Sequence, residues 1–350
     1  MTLVGRLDAF QRRHPAAGFP LAVLYKYVDD QGGYLAALIA YYAFLSLFPL
    51  LLLLATVLGF VLAGHPQLQA QVIDSALGQF PVVGDQLGQP KRIGGGAVGL
   101  TIGIVGSLYG GLGVGQAVQN AMNTAWAVPR NSRPDPLKSR LRSLLLLLTA
   151  GVAVLGTTVL STLGSSNAGS FGPLLKGSVL VASIAVNAAV FVLVFRVSTA
   201  RELSLRDVAP GALAAAVVWQ LLQSFGVVYV GHVVNGSSAT NGVFAVVLGL
   251  LAFLYLTATA VVLCAEINVV RARRLHPRAL LTPFTDDVEL THGDRRSYTG
   301  LATAQRAKGF EDVDVRFEPP SESAGEPAGE PAGEPAGEPA GEPAVQDPEG

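Results

Sequence analysis

The chain has 350 residues, of which 50% are hydrophobic and only 14% are charged, and its formal net charge is -1. Soluble domains carry charge on roughly a quarter of their residues, so this composition excludes an ordinary soluble domain. Cys264 is the single cysteine, which excludes an intramolecular disulfide and is typical of a small buried side chain.

The N-terminal segment, residues 1–34, predicts two short amphipathic helices. One apolar face of each helix is formed by these residues: Leu3, Val4, Leu7 and Phe10 in the first, and Leu21, Leu24 and Val28 in the second. Basic helices of this kind lie in the membrane interface, and packing on the end of a helix bundle is an equal alternative. The segment lacks the features of a cleaved signal peptide, so we expect the first span to act as an uncleaved anchor.

Six long apolar segments follow, and each is long enough to cross a bilayer core about 30 Å thick. They cover residues 35–62, 97–118, 143–163, 173–195, 208–230 and 243–270. Turn-forming residues at 164–170 and 235–238 divide the two stretches that are too long for one span. The predicted fold is therefore all-α: a polytopic membrane bundle of six transmembrane helices with short N-terminal interfacial helices.

The Lys and Arg residues predict the orientation of this bundle. Sixteen of them lie in the N-terminal segment, in alternate loops and at the exit from the sixth span (residues 271–278), against three in the other loops. Because basic loops stay in the cytoplasm, we expect both termini to be cytoplasmic. The predicted domains are residues 1–34, the membrane domain 35–270, a cytoplasmic segment 271–317 and a tail 318–350.

Two segments outside the spans have their own patterns. Leu68, Val72, Ala76 and Phe80 recur every fourth residue and predict an amphipathic helix across the outer mouth of the bundle. From residue 324 to 343 the tetrapeptide Ala-Gly-Glu-Pro repeats five times, which predicts a disordered tail because proline blocks regular pairing and no apolar side chain is available for burial. The tail is either a dispensable extension or a tether for a partner.

The first two spans contain a proline, glycine pairs and polar residues that bear on whether these helices only pack together or also line a transport cavity. In the first, Tyr41, Tyr42 and Ser46 precede Pro49, whose missing N–H predicts a kink at a packing site or at a substrate cavity. In the second, the glycine pairs Gly99/Gly103, Gly106/Gly110 and Gly111/Gly115 predict close helix packing. Gln116, Gln119, Asn120 and Asn123 then form a polar stripe that either lines a vestibule or faces headgroups.

Further polar residues lie in the last three spans. Asn187, Gln220 and Gln223 fall near mid-depth and predict either interhelical hydrogen bonds or, with Ser46 and Pro49, a polar cavity. Glu266 is the only acid within a predicted span, and Asn268 follows it. We expect Glu266 to be a coupling or gating carboxylate, or to pair with an arginine such as Arg196 or Arg142. Ser204 and Asp207 predict the start of the fifth span, with a bend at Pro210.

Three sequence segments resemble the YihY/BrkB family of bacterial inner-membrane proteins. They are residues 36–50 (AALIAYYAFLSLFPL), 207–212 (DVAPGA) and 264–268 (CAEIN), and the resemblance covers residues 20–280. It implies six spans with cytoplasmic termini and a link to envelope integrity and virulence, with lipid or another envelope precursor as the suspected cargo. An older label of the family is ribonuclease BN.

We therefore expect a non-enzymatic, transporter-like protein of the bacterial plasma membrane that moves a lipid or an envelope-related solute. The alternative is a non-catalytic envelope scaffold or sensor that acts through partners. The expected partners are membrane lipids and an unknown solute or envelope lipid, with a possible homo-oligomer and no nucleic acid. We expect no cofactor, metal or catalytic residue, because the five histidines are scattered and no ATP-binding loop occurs.

Overall fold

A computed structural model of the protein describes residues 3–61, 67, 96–164, 172–234, 239–285 and 288–318. Over these residues the regular structure is helical, without a strand, and the all-α prediction is confirmed. The α-helices of this part of the chain are α1 (Leu3–Arg13), α2 (Pro15–Asp29), α3 (Gly32–Val61), α4 (Gly96–Ala125), α5 (Pro136–Gly164), α6 (Gly172–Ser198), α7 (Leu205–Val234), α8 (Ala239–Arg273) and α9 (His292–Ala304). A short 3-10 turn, Arg130–Ser132, lies between α4 and α5.

The long helices α3 to α8 coincide with the six apolar segments of the sequence. Within the described residues, three stretches are long and apolar enough to cross a membrane: Gly177–Ser198, Leu205–Ser224 and Val247–Arg273. A shorter apolar stretch is Gly32–Leu47. The protein is therefore a membrane protein. The predicted outer-loop helix, the turns at 165–170 and 235–238 and the repeat tail lie outside the described residues.

The six long helices form a closed ring in which each helix packs against its neighbours in the chain. The last helix of the ring, α8, also packs against the first, α3, and α4 reaches across to α6 and α8. A buried apolar cluster joins α2, α3, α4 and α7 to α8, with Ala36, Met122 and Val262 fully or almost fully buried. The N- and C-terminal thirds of the chain consequently share one core.

Glycines allow α4 to approach both of its neighbours closely. The contacts of the two described pairs are Gly106 with Pro49, Gly110 with Ser46, Gly111 with Leu147 and Gly115 with Ser143. A Cβ added at Gly110 would lie 2.7 Å from the Ser46 Cα, a distance that real side chains do not adopt. Close packing at these two pairs is confirmed, whereas for Gly99 and Gly103 it stays a prediction.

We expect Gly110→Ala to destabilise the bundle by about 1–3 kcal/mol, because the added methyl group overlaps the α3 backbone and must force α3 and α4 apart. Gly151→Ala is the matched control, since a Cβ at Gly151 meets no atom within 4 Å. Thermal unfolding of the two purified variants in the same detergent measures the difference. Equal melting temperatures for both variants and the unsubstituted protein would contradict this packing.

The second N-terminal helix packs on the bundle and keeps one apolar face outside. On its inner side Ala22, Val23 and Lys26 are buried against α8 and the core. On its outer side Leu24 and Val28 are 53% and 62% exposed. The alternative in which this helix packs on the end of the bundle is therefore confirmed, and contact of its exposed outer face with lipid stays a prediction.

The ends of α4 and α8 place basic side chains at one end of the ring. Both helices stop at a non-glycine residue with left-handed backbone, Ala127 with φ 48 and Arg274 with φ 53. The next N–H then bonds five residues back, from Val128 to the Asn123 carbonyl and from Leu275 to the Val270 carbonyl, as in a Schellman motif. We call this end of the ring, where Arg133, Arg201 and Arg273 lie, the basic end.

After α8 the chain folds back onto α1 and α2. The Leu280 N–H donates to Asp8 Oδ1 at 2.9 Å, and the Tyr25 hydroxyl donates to the Leu280 carbonyl at 2.6 Å. Helix α9 then begins with a capping box in which Thr291 and Asp294 bond each other's backbone N–H groups. These bonds hold the C-terminal segment against the N-terminal helices.

Candidate functional site

The start of α7 and the end of α8 are in close contact at the basic end. Asn268 Oδ1 accepts a hydrogen bond from the Gly211 N–H at 2.7 Å. A Cβ at Gly211 would lie 2.1 Å from the Cys264 carbonyl oxygen, so only glycine fits there. The contact joins the two sequence segments 207–212 and 264–268.

Two polar interactions support the entry of α7. The Ser204 backbone and hydroxyl both donate to Asp207 Oδ2, at 3.0 and 2.7 Å, which confirms the predicted helix start. Pro210 has no N–H to donate to the carbonyl of Arg206, and Arg271 Nη1 donates to that carbonyl at 2.9 Å instead. An α8 arginine thus satisfies the backbone group that the proline leaves without a helical partner.

Glu266 lies in a buried ionic cluster with Lys26 and Asp30. The side chains of Asp30 and Glu266 are 0% exposed and that of Lys26 is 3% exposed. Lys26 Nζ bonds Asp30 Oδ2 and lies 3.9 Å from Glu266 Oε2. The expected pairing with Arg196 or Arg142 is therefore wrong. Lysine is the partner because α2 packs its inner face directly on α8, whereas those arginines lie on α6 and α5.

One ammonium group faces two carboxyl groups in this cluster. Within the described residues, Asp30 Oδ1 and both Glu266 oxygens accept no hydrogen bond from a donor group. The single Lys26 ammonium is therefore shared by two buried carboxyl groups. Burial raises the pKa of Asp30, and the Lys26 ammonium offsets part of this effect. The cluster can therefore retain one proton where two separate surface carboxylates would hold none.

A second ionic cluster lies beside it and holds the C-terminal segment. Arg278, 1% exposed, lies 2.9 Å from Asp29 Oδ2 through Nη2 and bonds Asp294 through Nε. Its guanidinium also lies over the Tyr298 ring, 5.3 Å from the centroid. Burial lowers the pKa of Arg278, but the neighbouring Asp29 and Asp294 carboxylates outweigh this effect and raise it. Both carboxylates of this cluster thus pair with the same guanidinium, whose Nη1 is buried without a hydrogen-bond partner among the described residues.

The polar stripe of α4 holds neighbouring segments in place. Gln119 Nε2 donates to Ser143 Oγ at 2.9 Å on α5. Asn120 Oδ1 accepts from Arg133 Nη1 at 2.9 Å, and Asn123 Oδ1 accepts from the Ala200 N–H at 2.7 Å. Asn120 and Asn123 are thus engaged in fixing the loops that follow α4 and α6.

A cavity of about 300 Å³ lies between α3, α4, α5, α6 and α8. Ser46 contributes the polar side chain of its lining, and its hydroxyl donates to the Ala43 carbonyl at 3.0 Å. The rest of the lining is apolar and includes Leu47, Val114, Val118 and Leu254. The lining of this cavity is therefore predominantly apolar.

The remaining candidate residues of the spans lie away from this lining. Tyr41 is 57% exposed, and Tyr42 is half-buried with its ring against Gly113. Asn187, Gln220 and Gln223 are half-buried on α6 and α7. The cavity does not bring these three amides together with Ser46, because they project from a different part of the ring. Their role in a pathway stays a prediction.

Two cavities at the basic end are lined by arginines. One, of about 520 Å³, is bordered by Arg201, Arg273, Arg295 and Arg296, and the other, of about 780 Å³, by Arg142, Arg196 and Arg201. Most of these residues indicate the orientation of the chain in the sequence, but the sequence does not predict that they converge. Their clustering depends on how α6, α8 and α9 pack, which no local pattern reveals. Among the described residues, no three His, Cys, Asp or Glu side chains come close enough to hold a metal ion.

Comparison with known proteins gives a family and one relative of known name. The model of a family described as "Virulence factor BrkB" matches residues 23–286. A ribonuclease-like protein, YfkH of Bacillus subtilis strain 168, is 26% identical over 270 residues, which are 71% of this chain and 93% of the relative. No solved structure matches the chain.

Proposed function

The chain belongs to the BrkB family, and from this premise we propose that it is a transporter-like protein that moves a lipid or another envelope-related solute across the bacterial inner membrane. The proposed topology has six spans, α3 to α8, with both termini in the cytoplasm, as the distribution of Lys and Arg favours. We propose that it acts without covalent catalysis, with membrane lipids as partners and without nucleic acid. The protein is a membrane protein in any case, by its apolar helices.

The apolar cavity is the observation that carries this proposal. Ligand pockets have volumes of roughly 300–1,000 Å³, and the cavity of about 300 Å³ reaches the lower end of that range. Its lining of Leu47, Val114, Val118 and Leu254 favours a hydrocarbon chain over a sugar or an ion. A lipid whose chain occupies the cavity could carry its headgroup along the bundle, which makes lipid the favoured cargo.

The Lys26–Asp30–Glu266 cluster gives the proposal a candidate control element. Intramembrane acids mark proton relays and gates in many transporters. Here the extra carboxyl group can take or release one proton while Lys26 and Asp30 remain paired. We propose Glu266 as the gating or coupling residue, with Asn268 positioning it through the contact with Gly211.

A lipid-translocation assay tests the proposed function. The full chain is reconstituted in liposomes with a fluorescent phospholipid, and the loss of inner-leaflet fluorescence to an external quencher is measured. We expect the unsubstituted protein to accelerate this loss over protein-free vesicles. We expect Val114→Trp to remove most of the acceleration, because the indole ring fills the cavity.

Val105→Trp is the matched control, since Val105 lies on the same helix and is 62% exposed. It should translocate lipid as well as the unsubstituted protein. No acceleration by folded, unsubstituted protein would refute phospholipid translocation and favour the scaffold alternative. Metal-dependent cleavage of RNA by the same preparation would refute the non-enzymatic assignment and favour an activity like that in the name of the Bacillus relative.

A further inference from the structure

The cavity bordered by α9 gathers positive charge from three separate elements. Arg201 comes from the connection between α6 and α7, Arg273 from the end of α8, and Arg295 and Arg296 from α9. A run of basic residues along one exposed helix is usually a solvated face. Here, in contrast, the guanidinium groups come from segments far apart in sequence and line one cavity of about 520 Å³.

The charge of this cavity is not neutralised by its own lining. Leu275, Ala127, Gly300, Thr299 and Thr303 complete the lining, which includes no carboxylate. Arginine does not lose its proton in proteins, so the repulsion cannot be relieved by deprotonation. An anion is the group that relieves it.

The acidic and the basic side chains of helix α9 lie on different sides of the helix. Asp294 is 0% exposed and bonds Arg278, the Ala279 N–H and Thr291 on the side that faces α2. Arg295, Arg296 and Thr299 lie on the side that borders the cavity. The carboxylate of α9 is thus already engaged and is not available to the arginines.

Two of the arginines are held in position by backbone groups. Arg273 is half-buried and its Nη2 donates to the Trp126 carbonyl. Arg296 Nη1 lies 3.5 Å from the Arg273 carbonyl. Each guanidinium has five N–H donors, so these contacts leave most donors of both residues for a ligand.

We propose that this arginine cavity binds a phosphate group. Arginine pairs with phosphate oxygens through two parallel hydrogen bonds, and four guanidinium groups around one cavity suit a tetrahedral dianion or a phosphodiester. The phosphate belongs either to a soluble anion or to the headgroup of an anionic lipid, since the basic end adjoins the end of the α8 membrane stretch. This binding does not depend on the proposed transport function.

Thermal stabilisation of the full chain in a neutral detergent tests the proposal. One titration uses inorganic phosphate, with sodium chloride at matched ionic strength as reference. The other uses short-chain phosphatidylglycerol, with short-chain phosphatidylcholine as reference. We expect a saturable rise in the melting temperature in at least one titration, with an apparent affinity weakened about tenfold or more in R295Q/R296Q, because two charge-assisted pairs are lost.

The double variant R13Q/R140Q is the charge-matched control, because both arginines are exposed and lie outside this cavity. It should bind as tightly as the unsubstituted protein. Stabilisation by phosphate identifies a soluble anion as ligand, and stabilisation by phosphatidylglycerol alone identifies a lipid headgroup. Two outcomes would overturn the proposal: no stabilisation over the references in either titration, or equal weakening in both double variants.

Discussion

Lys26→Met is expected to destabilise the protein by about 3–5 kcal/mol, the usual effect of removing one partner from a buried ion pair. Lys26 is 3% exposed and is the cation beside Asp30 and Glu266, both 0% exposed. Methionine fills a similar space without charge, so the loss reflects two buried carboxyl groups left without a counter-charge. Unfolding of the purified variant in detergent, followed by temperature or denaturant, measures it.

The pH dependence of this loss has a definite sign. Burial raises the pKa of Asp30 in the folded protein above its unfolded value of about 3.9. A raised folded pKa contributes stability that is present below the unfolded pKa and lost as the pH rises through the folded pKa. The difference between Lys26→Met and the unsubstituted protein should therefore shrink as the pH falls toward about 4. A difference independent of pH would show that the carboxyl groups are not its cause.

Glu266→Gln is the informative control for this experiment. It preserves the Lys26–Asp30 pair and removes the carboxyl group that competes for the same ammonium, so we expect little loss of stability. Combined with Lys26→Met, it should recover part of the lost stability. If Glu266→Gln is stable yet no longer translocates lipid, Glu266 acts in the transport cycle and not in folding.

Arg278→Met is expected to have an effect of similar size, about 3–5 kcal/mol, and a different local consequence. Arg278 is 1% exposed and joins Asp29, at the end of α2, to Asp294, in the first turn of α9. Without it two carboxylates lose their cation, and α9 loses its ionic link to α2. We expect faster cleavage between α8 and α9 in limited proteolysis, together with a lower melting temperature.

Arg316→Met is the control, because Arg316 is 87% exposed in an ion pair with exposed Asp314. Exposed pairs contribute little to stability, so no measurable change is expected. Similar proteolysis patterns for the two variants would contradict the role of Arg278 as a link between α2 and α9.

The helices and the glycine contacts could be predicted from sequence because their signals are local. A charge-free apolar run predicts a long helix wherever it lies, and the spacing of Gly106 and Gly110 predicts a close contact whatever the partner. The start of α7 at Ser204 follows from two residues three positions apart. Each of these features depends on neighbouring residues alone.

The ionic clusters could not be predicted because they depend on which helix ends meet. Glu266 is recognisable in the sequence as an isolated acid, but the sequence favours Arg196 or Arg142 as its partner and not Lys26. One signal was available: Lys26 and Asp30 lie four residues apart directly before an uncharged span, a spacing at which helical side chains pair. Nothing local links Asp29 or Asp294 to Arg278. The apolar lining of the cavity likewise follows from the rotation of each helix, which the sequence does not fix.

The bond between Asp29 and Arg278 joins a part of the chain that is synthesised early to a part that is synthesised late. Asp29 and Arg278 are 249 residues apart, so the acid leaves the ribosome long before its base is translated. During this interval the Asp29 carboxylate of α2 lacks the cation with which it pairs in the folded protein. A stalled or shortened chain would keep that carboxylate uncompensated and accessible to cellular proteases. Only a chain that has been synthesised through Arg278 can therefore supply the buried cation that Asp29 pairs with.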